Sequence, residues 1–473
     1  MPKNKGQHKE PRESKGLPFF KSQLLEQGYI YKVCSGLQFD LNTVIKKTKR
    51  GYEEGHFCDH NCGLDCGNYQ CPAAFTENKG VDISSTMKFE EVLKALEVAL
   101  KGLELANIEF LKRGLADHAR NFNIPKTVQS EIEATLKNGG FELNLFGGNP
   151  ELHPNFVEII KSAKNMGWTV TTTTTGKKFM YDADFTERFL ENPPNLLAMS
   201  ADDYVNTDEL EELMAMSTDD LKKYWQKANP LYGQRKKAYE SLYVAKLAKS
   251  INKFPKLLFN IVIHPGNLPY IFDFVDILSR NFPKTLINPY PAQSSFCYQN
   301  PVWQPNHLPA LERVVNFMIQ KQEGANKSSF VPRVHYWLAL KSIFLAETTD
   351  RERCSLLSGH AWNCYKSATA GRYLQASSSE TVRQKNFSAG GHPGCFWNRK
   401  TVTDASKQLW TIKTKDVATY LLEQKATLSK STTNPCPGCI MPRLMFDGIS
   451  TESGLSPILV PTYLKLRKEH HGF

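Results

Sequence analysis

The chain has 473 residues, 41% hydrophobic and 23% charged, an ordinary soluble composition that allows two or three domains or one large α/β domain with additions. Its formal charge of +11, from 59 Lys+Arg against 48 Asp+Glu, favours acidic partners, but the lysines are scattered and a solvated basic surface is the plainer reading. No apolar run approaches the roughly 20 residues of a membrane helix, and the basic N-terminus has no apolar secretory core, so no membrane association and a cytoplasmic location are expected.

Taken in chain order, residues 1–17 read as a disordered basic tail. Residues 18–80 hold a strand over 29–33, a polar stretch and a group of cysteines. Residues 87–106 carry Phe89, Val92, Leu93, Leu96, Leu100 and Leu103 at helical spacing, with Thr86 as N-cap. A strand over 141–146 runs into the turn GGNP. A helix over 155–166, a β-branched strand over 168–174, a helix over 183–191 and a strand over 196–200 follow. Residues 208–250 are helix-rich. The alternation closes with a strand at 257–263, a helix at 271–281 and a short strand at 285–287. Strands separated by helices, with few hairpin signals, predict an α/β fold with a parallel sheet or barrel and chemistry at the strand carboxyl ends.

After residue 300 the alternation fades. Helices are expected over 308–322 and 334–346, then a Gly/Ser/Cys-rich stretch over 350–440 and a basic tail. The expected division is therefore a core over 18–300 and a cysteine-rich C-terminal module over 301–473.

Eleven cysteines in a cytosolic chain point to metal or redox chemistry, because the cytosol keeps thiols reduced. Cys58, Cys62, Cys66 and Cys71 lie on one short loop, CDHNCGLDCGNYQC, close enough for several thiolates to converge on one centre. Thiolates suit both zinc and iron–sulfur clusters, and the loop by itself fits either; a zinc knuckle would recruit His56 or His60. Three further segments each end a predicted strand with small or polar residues: FELNLFGGNPELHP (141–154), WTVTTTTTG (168–176) and LLAMSADD (196–203). The glycines let the backbone approach a ligand closely.

In this order, behind a cysteine loop, the segments resemble the radical S-adenosylmethionine superfamily over roughly residues 50–295. The resemblance implies a partial (βα)6 TIM-like barrel and a 4Fe–4S cluster held by Cys58, Cys62 and Cys66, with Cys71 as the alternate ligand. It implies that Gly147, Gly148, Asn149 and Pro150, then Thr175, then Ser200 and Asp202, hold S-adenosylmethionine. The implied reaction is reductive cleavage to a 5′-deoxyadenosyl radical, which takes hydrogen from a substrate, with an electron donor such as flavodoxin or ferredoxin. The chain departs from the family pattern in its cysteine spacing, in Asn149 where glutamate is common, and in Thr175 where asparagine is usual.

The second cysteine group, Cys354, Cys364, Cys395 and the CPGC pair Cys436 and Cys439, resembles the auxiliary-cluster modules of SPASM or twitch type. A second Fe–S cluster on Cys354, Cys395, Cys436 and Cys439 is the expectation, with structural zinc as the alternative. Such modules imply a peptide or protein side chain as substrate. RNA or a small molecule is the alternative within the superfamily, and a zinc-stabilised binding protein without catalysis is the alternative of another class.

Overall fold

The fold is that of a computed structural model, which describes residues 36–41, 43–48, 51–57, 74–75, 81–82, 88–122, 141–146, 149–201, 207–232, 236–251, 254–291, 304–323, 337–338, 340–341, 373–377 and 419. Six strands follow one another in sequence and in space: β1 (Gly36–Asp40), β6 (Glu142–Phe146), β7 (Thr169–Thr174), β8 (Leu196–Ser200), β9 (Lys256–Ile263) and β10 (Leu286–Pro291). Every neighbouring pair is parallel. A seventh strand, β11 (Tyr373–Ser377), adds in parallel beyond β1, so β10 and β11 are the edges of an open sheet. Consecutive parallel strands in spatial order are the pattern of a partial barrel.

Helices supply the crossovers. α1 (Phe89–Phe122) joins β1 to β6 across a small second sheet, and α2 (Phe156–Asn165) joins β6 to β7. The short α3 (Lys177–Tyr181) and α4 (Ala183–Glu191) join β7 to β8. The expected helix-rich stretch resolves into α5 (Thr207–Ala215), α6 (Thr218–Tyr232) and α7 (Lys236–Ser250), before β9. α8 (Ile271–Asn281) precedes β10, and α9 (Leu308–Glu323) follows it.

Local sequence explains the ends of these elements. α2 stops in a Schellman motif: the Trp168 N–H donates to Ala163 O at 3.1 Å and the Gly167 N–H to Lys164 O at 3.0 Å, with Gly167 at φ 97. The Asp182 side chain caps α4 by accepting from the Phe185 N–H at 2.8 Å. Phe179 meets Phe189 edge-on at 4.8 Å and Phe185 at 5.2 Å between ring centroids, which fixes α3 against α4.

The period of two sorts the sheet into two faces. Leu37, Leu143, Val170, Leu197, Leu257 and Ile287 are buried and belong to one apolar face. The in-register positions of the other face include Asn144, Thr171, Thr173, Ser200, Asn260 and Asn288, all half-buried. The threonine run of β7 serves both: Thr172 is buried and its hydroxyl donates to Leu145 O at 3.0 Å, while Thr171 stands in register with Asn144.

Between β1 and α1 lies a second sheet. β2 (Thr43–Thr48) and β3 (Gly51–Phe57) form an antiparallel hairpin flanked by β4 (Ala74–Phe75) and β5 (Val81–Asp82). Sequence reading expects only a polar stretch there, because the alternation of Lys, Thr and Glu hides a hairpin. The expected strand at 29–33 and the Thr86 cap lie outside the described residues. α1 runs sixteen residues beyond the expected end at 106, reaching Phe122, and β10 reaches Pro291 rather than 287. Trp337, Leu338 and Leu340 from the expected helix at 334–346 are buried in the main core.

Gly176, at φ 93, lets α7 close against the end of β7. A Cβ there would lie 2.7 Å from Val244 Cγ2 and 2.9 Å from Glu240 O, whereas one at Gly167 would meet nothing within 4 Å. Both substitutions carry the left-handed backbone penalty of roughly 1–2 kcal/mol. Gly176→Ala should therefore destabilise clearly more than Gly167→Ala in urea unfolding; equal losses would mean that α7 yields without cost.

Candidate functional site

The strand carboxyl ends gather three of the expected segments on adjacent strands, at an inter-strand spacing of about 4.8 Å. Asn149 and Pro150 are buried at the start of a single 3₁₀ turn, Pro150–Leu152, that follows β6. Thr175 is buried just past β7, and Ser200 ends β8 half-buried. Gly147, Gly148 and Asp202 lie outside the described residues. So do Cys58, Cys62, Cys66, Cys71, Cys354, Cys364, Cys395, Cys436 and Cys439. Among the described residues no group of three His, Cys, Asp or Glu side chains converges as a metal site.

One contact couples the first two turns. Thr174 donates its hydroxyl proton to Glu151 Oε1 at 2.5 Å and accepts from the Gly176 N–H at 2.9 Å. Glu151 is 1% exposed and Thr174 2%. A buried carboxylate bonded to a hydroxyl is a strong, directional contact, and here it fixes the backbone on both sides of Thr175. His153 is also buried and accepts at Nδ1 from the Asn155 N–H at 3.1 Å, which shapes the exit from the turn into α2.

α7 holds the next strand end: Ser241 donates to the Ser200 carbonyl at 2.6 Å, and the Ala201 N–H ties that end to β9 by donating to Asn260 O at 2.8 Å. The adjacent Glu240 is buried. Partial burial first, and then the Glu240 carboxylate, push the Tyr181 phenol up to about 12.

Sequence reading passes over Glu151, Thr174, Asn260, His264 and Asn288 as site residues. His264 follows β9, buried, with its N–H on Asn267 Oδ1 at 2.8 Å and its Nδ1 accepting from the Gly266 N–H at 3.2 Å. An accepting Nδ1 puts the proton of the neutral ring on Nε2. A usable signal exists for Asn260: after the leading Lys256 it is the lone polar residue of KLLFNIVI, and a polar residue within an apolar strand is informative.

No family model matches the sequence, and no curated protein matches it. Solved structures of SuiB from Streptococcus suis are similar at 12% identity. The complex with precursor peptide SuiA has a TM-score of 0.45 and covers 96% of this chain and 84% of that one. A second SuiB structure has a TM-score of 0.46, with 92% and 79% covered. SuiB bound to S-adenosylmethionine has 0.47, with 93% and 80% covered. A likeness this distant does not bear on activity.

Thr174→Val leaves the buried Glu151 carboxyl without that hydroxyl donor and should cost about 1–2 kcal/mol of stability, the usual range for a lost buried hydrogen bond. A double-mutant cycle with Glu151→Met, which removes the acceptor, should give a coupling of about 1 kcal/mol or more; additive losses would show that the two turns are not coupled. For Tyr181 the folded value lies above the ordinary 10.0, so the unfolded chain releases the proton first. Stability should fall as pH rises from 10.0 to about 12, and Tyr181→Phe should lessen that fall in denaturant titrations.

Proposed function

We propose that the chain is a radical S-adenosylmethionine enzyme acting on a peptide or protein side chain. The observation that supports this reading most is the arrangement of the turn at Asn149–Pro150, Thr175 and Ser200 at the carboxyl ends of three adjacent parallel strands.

The donor set fits a 4Fe–4S cluster. Cys58, Cys62 and Cys66 follow β3 directly, and the parallel pairs His56↔Ala74 and Phe57↔Phe75 hold together the two ends of the segment that carries them. A loop closed at its base needs less ordering to converge its thiolates on one centre. Cluster and S-adenosylmethionine together would supply one-electron cleavage of the sulfonium bond and a radical that abstracts hydrogen.

The chain's own groups bind and orient. Backbone N–H groups of Gly147, Gly148 and Asn149 would receive the methionine portion, and Thr175, Ser200 and Asp202 its polar groups and the ribose. Glu151 and Thr174 stiffen that cradle through their hydrogen bond. Cys354, Cys395, Cys436 and Cys439 would hold an auxiliary cluster, and a flavodoxin or ferredoxin would deliver electrons. Among the described residues no helix is long and apolar enough to cross a membrane.

Anaerobically purified protein should be brown, contain iron, and form 5′-deoxyadenosine when reduced with S-adenosylmethionine. A colourless, zinc-rich protein that forms none would overturn the reading in favour of a zinc-stabilised binding protein. Cys62→Ala should abolish the product. If Cys71→Ala abolishes it and Cys58→Ala does not, the ligand set is Cys62, Cys66 and Cys71.

A further inference from the structure

Asn260 and Asn288 stand in register on β9 and β10, and Asn288 Nδ2 donates to Asn260 Oδ1 at 2.8 Å. Ser200 is in register with Asn260 on the other side, so the three make one row across β8, β9 and β10. From the strand spacing the row is about 10 Å long. It lies on the sheet face opposite the buried Met199, Phe259 and Ile287. The in-register positions two residues before it are Ala198, Leu258 and Leu286; two residues after it come Val262 and Tyr290. None of these described side chains carries a charge; Asp202, two residues after Ser200, lies outside the described residues.

The row has a polarity of its own. Asn288 Oδ1 is buried and accepts no hydrogen bond. The Asn260 carbonyl is taken by Asn288, and its Nδ2 group remains a donor. A buried acceptor with no partner lowers stability, and polar groups retained at such a cost concentrate where a ligand completes them. One acceptor beside one donor is the complement of an amide. A carboxylate would be repelled by Asn288 Oδ1, and an ammonium group would find no anionic side chain in the row.

We propose that Ser200, Asn260 and Asn288 form a subsite for a carboxamide of the substrate, a peptide bond or an Asn or Gln side chain. Its N–H donates to Asn288 Oδ1 and its carbonyl accepts from Asn260 Nδ2. This names a substrate class for the reading above and rests on it, since Ser200 is shared with the expected cofactor site.

The test uses the full chain labelled with ¹⁵N at asparagine, titrated with N-methylacetamide. The side-chain amide signals of Asn260 and Asn288 should shift. Acetone, which has the carbonyl but no N–H, should shift them several-fold less, and Asn288→Leu should abolish the response at Asn260. No response, or an equal response to acetone, overturns the subsite. As a folding check, Asn260→Leu with Asn288→Leu should leave the thermal midpoint unchanged or raise it, because replacing both partners by apolar groups is close to neutral. A clear fall in the midpoint would make the pair a structural bond and overturn the proposal. Formation of 5′-deoxyadenosine by the unaltered chain, without substrate, tests the cofactor reading separately. A chain that forms it but shows no amide response loses the subsite alone.

Discussion

In-register parallel pairing from β1 to β10 is the constraint on which the rest of the molecule depends. Register and a period of two together assign every strand residue to one of two faces, and a slip of one residue would exchange them. Leu143, Val170, Leu197, Leu257 and Ile287 meet on the apolar face because each is in register with, or two residues along from, its neighbour. Burying such a side chain is worth about 1.5–3 kcal/mol, so the apolar face holds the register. The same register then aligns Ser200, Asn260 and Asn288.

The strand ends are coupled rather than independent. Glu151 reaches from the turn after β6 to Thr174 at the end of β7. α7 touches the next ends through consecutive residues: the Glu240 backbone lies against Gly176, and Ser241 holds the Ser200 carbonyl. A rigid cradle of this kind limits the reorganisation needed when a ligand binds. It also explains why a glycine with positive φ stands at 176, where any side chain would push α7 away.

Much of the architecture is legible in the sequence because its signals are local. The apolar spacing within 87–106, the β-branched run 169–174 and the strand 196–200 each declare their type over a few residues, and α8 matches its expected span of 271–281. The hairpin of β2 and β3 is not legible in that way. Its strands carry Lys46, Lys47, Glu53 and Glu54, residues with weak strand preference, and their pairing is a relation between segments. β11 is hidden for the same reason: five residues within a Gly/Ser/Cys-rich stretch become a strand by pairing with β1.

The candidate site divides along the same line. The cysteine loops, the glycine turn after β6, and Thr175 and Ser200 are visible as sequence because small, polar and thiol side chains at strand ends are chemically conspicuous wherever the chain folds. The sequence by itself thus determined the α/β alternation and made the small, polar and thiol segments conspicuous. Only the tertiary structure decided which side chains meet. Glu151 and Thr174 are 23 residues apart and Asn260 and Asn288 are 28 apart. Each pair meets across neighbouring strands, and strand order and register are properties of the whole sheet that no local stretch of residues encodes.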